Sequence, residues 1–153
     1  MTIISQLTQN RKTILVVDDD PFVSEFVRMT LTRLGYAARI ADNGMAGLAC
    51  AMKERPDAIL LDLVMPELDG FEFLKHRHKM PEVEAIPVLV MSASHTRTDV
   101  NRALALGACG YITKPVTEES LAKRLGKVVP SPLFSRPEST QLVWGNIPPK
   151  SQL

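Results

Sequence analysis

Four short apolar runs in this sequence each lead into residues that can do chemistry. TILVV (13–17) runs into Asp18-Asp19-Asp20, AILL (58–61) into Asp62, VLVM (88–91) into Ser92, and CGYIT (109–113) into Lys114-Pro115. If those run ends meet, the carboxylates of Asp18, Asp19 and Asp62 share one place with a hydroxyl and an ammonium. Crowded carboxylates repel one another, and at least one pKa rises unless a cation joins them. A set of oxygen donors with few protein ligands suits Mg²⁺, which keeps several waters and often bridges to phosphate. A carboxylate facing such a cation is also a nucleophile, able to attack phosphorus and form an acyl phosphate. The metal and Lys114 would neutralise charge on the transferring group, the main demand of phosphoryl transfer. Ser92 could donate a hydrogen bond to a phosphoryl oxygen.

The elements between these ends must bring them together. A continuous run rich in β-branched residues reads as a strand buried on both faces. After the first run, Asp20 suits an N-cap and Pro21 a first helical position. Phe22, Val23, Phe26, Val27, Leu31 and Leu34 then recur at helical spacing, and Gly35 stops that helix. A weaker strand follows at 36–41. Asn43 caps a second helix whose expected apolar face is Met45, Leu48, Ala49 and Met52, with the methionines as core filling. Pro56 breaks it. Helices are further expected at 71–80, at 96–106, and after Pro115 with Leu121, Leu125 and Val128 on one face. Five strands alternating with five helices argue for an α/β fold with a doubly wound, five-stranded parallel sheet. In such sheets ligands bind at the carboxyl ends of the strands, where the strand order reverses.

Composition narrows the function classes. The chain has 153 residues, 45% hydrophobic and 23% charged, with a formal net charge of +1. That size favours one domain with a sizeable core. The balanced charge gives no electrostatic footprint for nucleic acid or for an anionic membrane. Cys50 and Cys109 stand far apart, which argues against a zinc site or disulfide framework and for a reducing cytoplasm. No apolar run approaches the roughly 20 residues of a membrane span. The texture divides the sequence into an extension at 1–11, an ordered domain at 12–129 and a proline-rich tail at 130–153, expected to be unstructured.

The segments ILVVDDDP, DAILLDLVMPELDG, VLVMSA and GYITKP resemble the receiver domain of bacterial two-component response regulators, from about residue 12 to 129. The resemblance implies a flavodoxin-like (βα)5 fold and a stand-alone receiver. Asp62 is then similar to the phospho-accepting aspartate. Asp18 and Asp19 resemble the acid pair that holds Mg²⁺, Asp19 more directly, and Val64 would add its backbone carbonyl. Ser92 resembles the switch hydroxyl, Lys114 the phosphate-pairing lysine and Tyr111 the aromatic switch, and Pro115 follows a peptide bond that is often cis. The implied partners are a sensor histidine kinase or histidine phosphotransfer protein upstream and an unidentified protein downstream, with no direct DNA binding and no membrane contact. Cys109 and Gly110 stand where dimerising receivers carry acids, so the charge ladder of that dimer is not expected.

Blander roles suit several other residues. Asp20, Asp57 and Asp69 read as cap or turn residues. His76, His78 and His95 read as surface residues, and Trp144 as either a docking point or an exposed side chain without a role. An aspartyl-phosphate phosphatase would want an acid where Val64 stands. A nucleotide-binding protein would have a glycine-rich loop after the first strand. The chain is therefore expected to catalyse only its own phosphorylation and dephosphorylation. The remaining alternative is a phosphate sink or scaffold without its own output.

Overall fold

The computed structural model describes residues 11–131. The elements alternate as β1 (Thr13–Val17), α1 (Pro21–Arg33), β2 (Ala37–Ala41), α2 (Gly44–Glu54), β3 (Ala58–Asp62), α3 (Gly70–Arg77), α4 (Pro81–Glu84), β4 (Val88–Ser92), α5 (Arg97–Ala105), β5 (Gly110–Thr113) and α6 (Glu118–Val128). All strands pair in parallel, in the order β2-β1-β3-β4-β5. The chain moves outward from β1 to β2 and then returns to the far side of β1. The strand order thus reverses between β1 and β3, and a crevice opens above their carboxyl ends.

Alternation along the strands divides the core between two faces. Leu15, Val17, Ile59, Leu61, Val88 and Val90 pack under α2, α3 and α5 through Leu48, Ala51, Phe73, Leu74 and Ala103. Ile14, Val16, Leu60, Leu89 and Met91 pack under α1 and α6 through Val27, Leu31, Leu121 and Leu125. The central strands β1, β3 and β4 are apolar up to their ends because both of their faces are covered, whereas the edge strand β2 carries the exposed Arg39 and Ile40.

Three local expectations are corrected. A sixth helix, α4, occupies the connection between Pro81 and Pro87. Pro81 supplies its first position, and Arg77 clamps its end (see Discussion). The second correction is α2, whose buried face is Gly44, Gly47, Leu48 and Ala51, leaving Ala49 exposed, Met45 62% exposed and Met52 42% exposed. Close packing decides this: a Cβ on Gly47 would lie 2.8 Å from Val17 Cγ2. The small residues let the helix settle on β1, and the methionines turn outward. Finally, α1 buries Val27 and Leu31 but exposes Phe22 (85%) and Phe26 (43%). Its apolar arc is wider than the stripe one sheet face can cover.

The chain stays attached past α6. The Tyr36 hydroxyl donates to the Val129 carbonyl and the Ser131 hydroxyl to the Leu34 carbonyl, so the packed unit reaches Ser131. The expectations for residues 1–10 and for 132–153, Trp144 included, lie outside the described residues. Among the described residues no helix is long and apolar enough to cross a membrane.

Candidate functional site

β1 and β3 are paired neighbours, so their ends deliver acids side by side. Asp18 leaves β1 fully buried, Asp62 closes β3 at 5% exposure, and Asp19 faces solvent. One carboxylate oxygen from each of these three lies within 4.8 Å of the others. The backbone fixes the acids before any ligand arrives. Asp18 Oδ1 accepts from the Asp20 N–H at 2.9 Å, and the Ser24 hydroxyl donates to the Asp18 carbonyl at 3.3 Å. Asp62 Oδ1 accepts from the Val64 N–H at 3.3 Å. Gly70 allows the following loop to fold back: its N–H donates to the Leu63 carbonyl, and a Cβ there would lie 2.5 Å from the Asp62 carbonyl oxygen.

Lys114 leaves β5 and crosses the top of β4 to reach these acids. Its Nζ lies 2.8 Å from Asp18 Oδ2 and 3.4 Å from Asp62 Oδ2. Burial alone would lower its pKa, but the hydrogen bond to Asp18 and the charges of both aspartates outweigh burial and hold it above the ordinary lysine value. Asp62 is also shifted upward, which favours its neutral form. Burial first, and then the neighbouring Asp18 charge, push it up to about 6, against the opposing pull of Lys114 and the Val64 N–H. One ammonium does not neutralise three carboxylates.

Ser92 is fully buried at the end of β4, and its Oγ accepts from the Ser94 N–H at 3.2 Å. Tyr111, half-buried on β5, donates its hydroxyl to the Ser94 carbonyl. The Ser94 hydroxyl in turn donates to Asp99 in the first turn of α5. Ser92, Tyr111 and α5 are therefore joined through Ser94, a residue sequence reading missed; its only signal was the spacing Ser92-Ala93-Ser94. The Lys114–Pro115 peptide is cis. Val64 is 71% exposed on the rim. Asp20 and Asp69 cap α1 and α3, and Asp57 accepts from the Thr13 N–H at 2.8 Å. His76 and His95 are exposed; His78 is exposed too, but its Nε2 lies 2.7 Å from the Leu106 carbonyl oxygen.

The donor set fits a hard cation. It is oxygen-only, it carries excess negative charge, and Asp62 has its pKa raised by burial and then by the neighbouring Asp18 charge.

Comparison with known proteins agrees with this geometry. The model of the response regulator receiver domain matches residues 14–126. Protein PilH of Pseudomonas aeruginosa is 40% identical over 118 residues, covering 76% of this chain and 96% of PilH. The master transcriptional regulator RpaA of a Synechocystis strain is 36% identical over 112 residues, but the match spans 46% of its length. The chemotaxis protein CheY4 of Vibrio cholerae superposes with a TM-score of 0.74 at 33% identity, covering 78% of this chain and 99% of CheY4. The receiver domain of the sensor histidine kinase PA1611 of Pseudomonas aeruginosa superposes with a TM-score of 0.73 at 26% identity, covering 79% of this chain and 99% of that domain. In that structure a magnesium ion is coordinated in the active-site cleft. The chain belongs to the response regulator receiver family, whose members are signalling proteins that work by accepting a phosphoryl group.

Proposed function

We propose that Asp62 is the phospho-acceptor and that Asp18, Asp19, Asp62 and the Val64 carbonyl hold Mg²⁺. The observation that carries this reading is the position of Asp62. It is buried at the strand-order reversal, against a second acid and one shared ammonium, with its charge poorly compensated. Bound Mg²⁺ would supply the positive charge that phosphoryl transfer needs.

The chain's own groups perform the rest. An Asp62 carboxylate oxygen attacks the donor's phosphorus, a new P–O bond forms, and the bond to the donor's leaving group breaks. Lys114, already within reach of Asp62, pairs with the added phosphoryl charge. Ser92 gives up its bond from Ser94 and donates its hydroxyl to a phosphoryl oxygen. That exchange loosens the Ser94 loop to which the Tyr111 hydroxyl and α5 are tied. The switch is thus a trade of hydrogen bonds, and phosphate biases it only through contacts that differ between the two arrangements. The donor is a histidine kinase or histidine phosphotransfer protein, and the output is a protein that binds the altered α5–β5 face. Free Cys50 and Cys109 fit work in a reducing cytoplasm.

Intact-mass measurement after incubation with a small phosphodonor tests this. A single added phosphoryl group is expected with Mg²⁺, and none in excess chelator or in Asp19→Ala. Undiminished incorporation without metal would overturn the assignment.

A further inference from the structure

One face of the domain is apolar and uncovered. On α1, Phe22, Phe26 and Met29 are 85%, 43% and 48% exposed, and Arg33 continues their line to the end of the helix. Their spacing of four, three and four residues is that of a coiled-coil seam, a stripe that one helix offers to another. Beside the stripe, Phe22, Val23, Phe26, Pro115 and Val116 line an open groove of about 600 Å³, with Lys114 on its rim. The two rings alone leave on the order of 250 Å² open, at ~200 Å² for a whole ring. Contiguous apolar surface of this kind marks a docking site.

The charges around the stripe complement themselves in one arrangement. Glu25 and Arg28 stand together on one flank, joined by an exposed ion pair. The exposed acids Asp19 and Asp20 precede α1, and Arg33 closes it, in an exposed pair with Glu118 at 3.2 Å. An antiparallel α1 from a second copy, with Phe26 against Phe26, sets Phe22 opposite Met29. Glu25 then meets Arg28 of the other copy, because flanks on the same side of the seam face each other in an antiparallel pair. Arg33 comes to the Asp19–Asp20 end of the other copy. Each helix N-terminus, the positive end of its dipole, lies against the other's negative C-terminus. A parallel arrangement would instead set Arg33 against Arg33 and bring both acid ends together.

We propose that two copies of this chain pair through α1, antiparallel, about a two-fold axis at Phe26. A two-fold interface uses the same patch on both copies, and this patch matches itself in apolar stripe and in charge. It is small beside the ~800 Å² that a standard interface takes from each partner, so the association is weak and concentration-dependent. The pair covers the groove on whose rim Lys114 stands, with its Nζ 3.4 Å from Asp62. A second copy and any other partner that docks on this face therefore exclude one another. The inference stands independently of the chemistry proposed for Asp62.

Sedimentation velocity of the full, unphosphorylated chain tests the pairing. Wild type is expected to shift from monomer toward dimer between ~10 µM and ~1 mM, the range of a weak interface. Phe22→Glu with Phe26→Glu should stay monomeric throughout, while circular dichroism remains native because both side chains are already exposed. The charges give a sharper arm. Glu25→Arg and Arg28→Glu should each weaken self-association about tenfold, by setting like charges across the seam. Mixed in equal amounts, these two variants should regain wild-type association, since arginines on one copy then face glutamates on the other. Wild type that stays monomeric at ~1 mM overturns the proposal. Self-association that survives the double phenylalanine substitution, or charge variants that associate no better mixed than alone, overturn it as well.

Discussion

The two ends of the sheet each bury charge, and they handle it in opposite ways. At the carboxyl ends of the strands, three acids face one ammonium. At the amino ends, Arg77 is 6% exposed, and its Nη2 donates to the Glu84 carbonyl at 2.7 Å and the Ile86 carbonyl at 3.0 Å. Burial lowers the Arg77 pKa, and the nearby Glu84 carboxylate pulls it back up. Its Nε–H has no acceptor. The guanidinium is held by two neutral carbonyls and clasps the end of α3 to α4 and to the start of β4. The acids at the other end repel one another and remain open to solvent through Asp19. Excess like charge beside a solvent opening is what separates a binding site from a structural clasp.

Breaking each end should therefore move stability in opposite directions. The largest effect is expected from Arg77→Met, which leaves the Glu84 and Ile86 carbonyls without their donor. A loss of about 3 kcal/mol in denaturant unfolding is expected. A change under about 0.5 kcal/mol would show that the clasp carries no stability.

Asp62→Asn should do the reverse. An acid whose pKa rises from 3.8 to about 6 on folding favours the fold below pH 4, and that contribution is lost as pH rises through 6. Metal-free Asp62→Asn should therefore be more stable than wild type at pH 8, by about 2 kcal/mol at ~1.4 kcal/mol per pKa unit less some solvent screening. The advantage should vanish at pH 4. Equal stability at both pH values would remove the electrostatic contrast between the two ends.

Smaller effects sharpen the picture of the output side. Ser92→Ala removes one acceptor for the Ser94 N–H and should cost about 1 kcal/mol. It should leave Asp62 phosphorylation intact while weakening phospho-dependent partner binding in a pull-down. Unchanged phospho-dependence would take Ser92 out of the switch. Val64→Asn, on the exposed rim, should alter stability least but speed acyl-phosphate hydrolysis several-fold, as followed by loss of label. A slower or unchanged rate would show that Val64 does not shield the phosphorus.

The acid cluster was legible in the sequence because strand ends are legible. An apolar run that stops at Asp18, Asp62, Ser92 or Lys114 places that residue at the sheet's edge, whatever the packing details. Packing details are what sequence periodicity does not hold. The repeat at Phe22, Phe26 and Val27 shows that α1 is amphipathic but not which side of a broad apolar arc meets the sheet. On α2 the close approach to Val17 selected Gly47 over the methionines. Arg77 carries no signal in the sequence, since its acceptors are backbone carbonyls, which every residue has. Ser94 was hidden for the same reason: its carbonyl receives the Tyr111 hydroxyl and its amide donates to Ser92.

The central claim is that Asp62, among the acids gathered at the strand ends, receives the phosphoryl group. Borohydride reduces an acyl phosphate to an alcohol, which converts a phosphorylated aspartate to homoserine. Peptide mapping after treatment with phosphodonor, Mg²⁺ and borohydride should find homoserine at position 62, with aspartate retained at 18 and 19. Homoserine at 18 or 19, or reduction at position 62 that persists in excess chelator, would contradict the account.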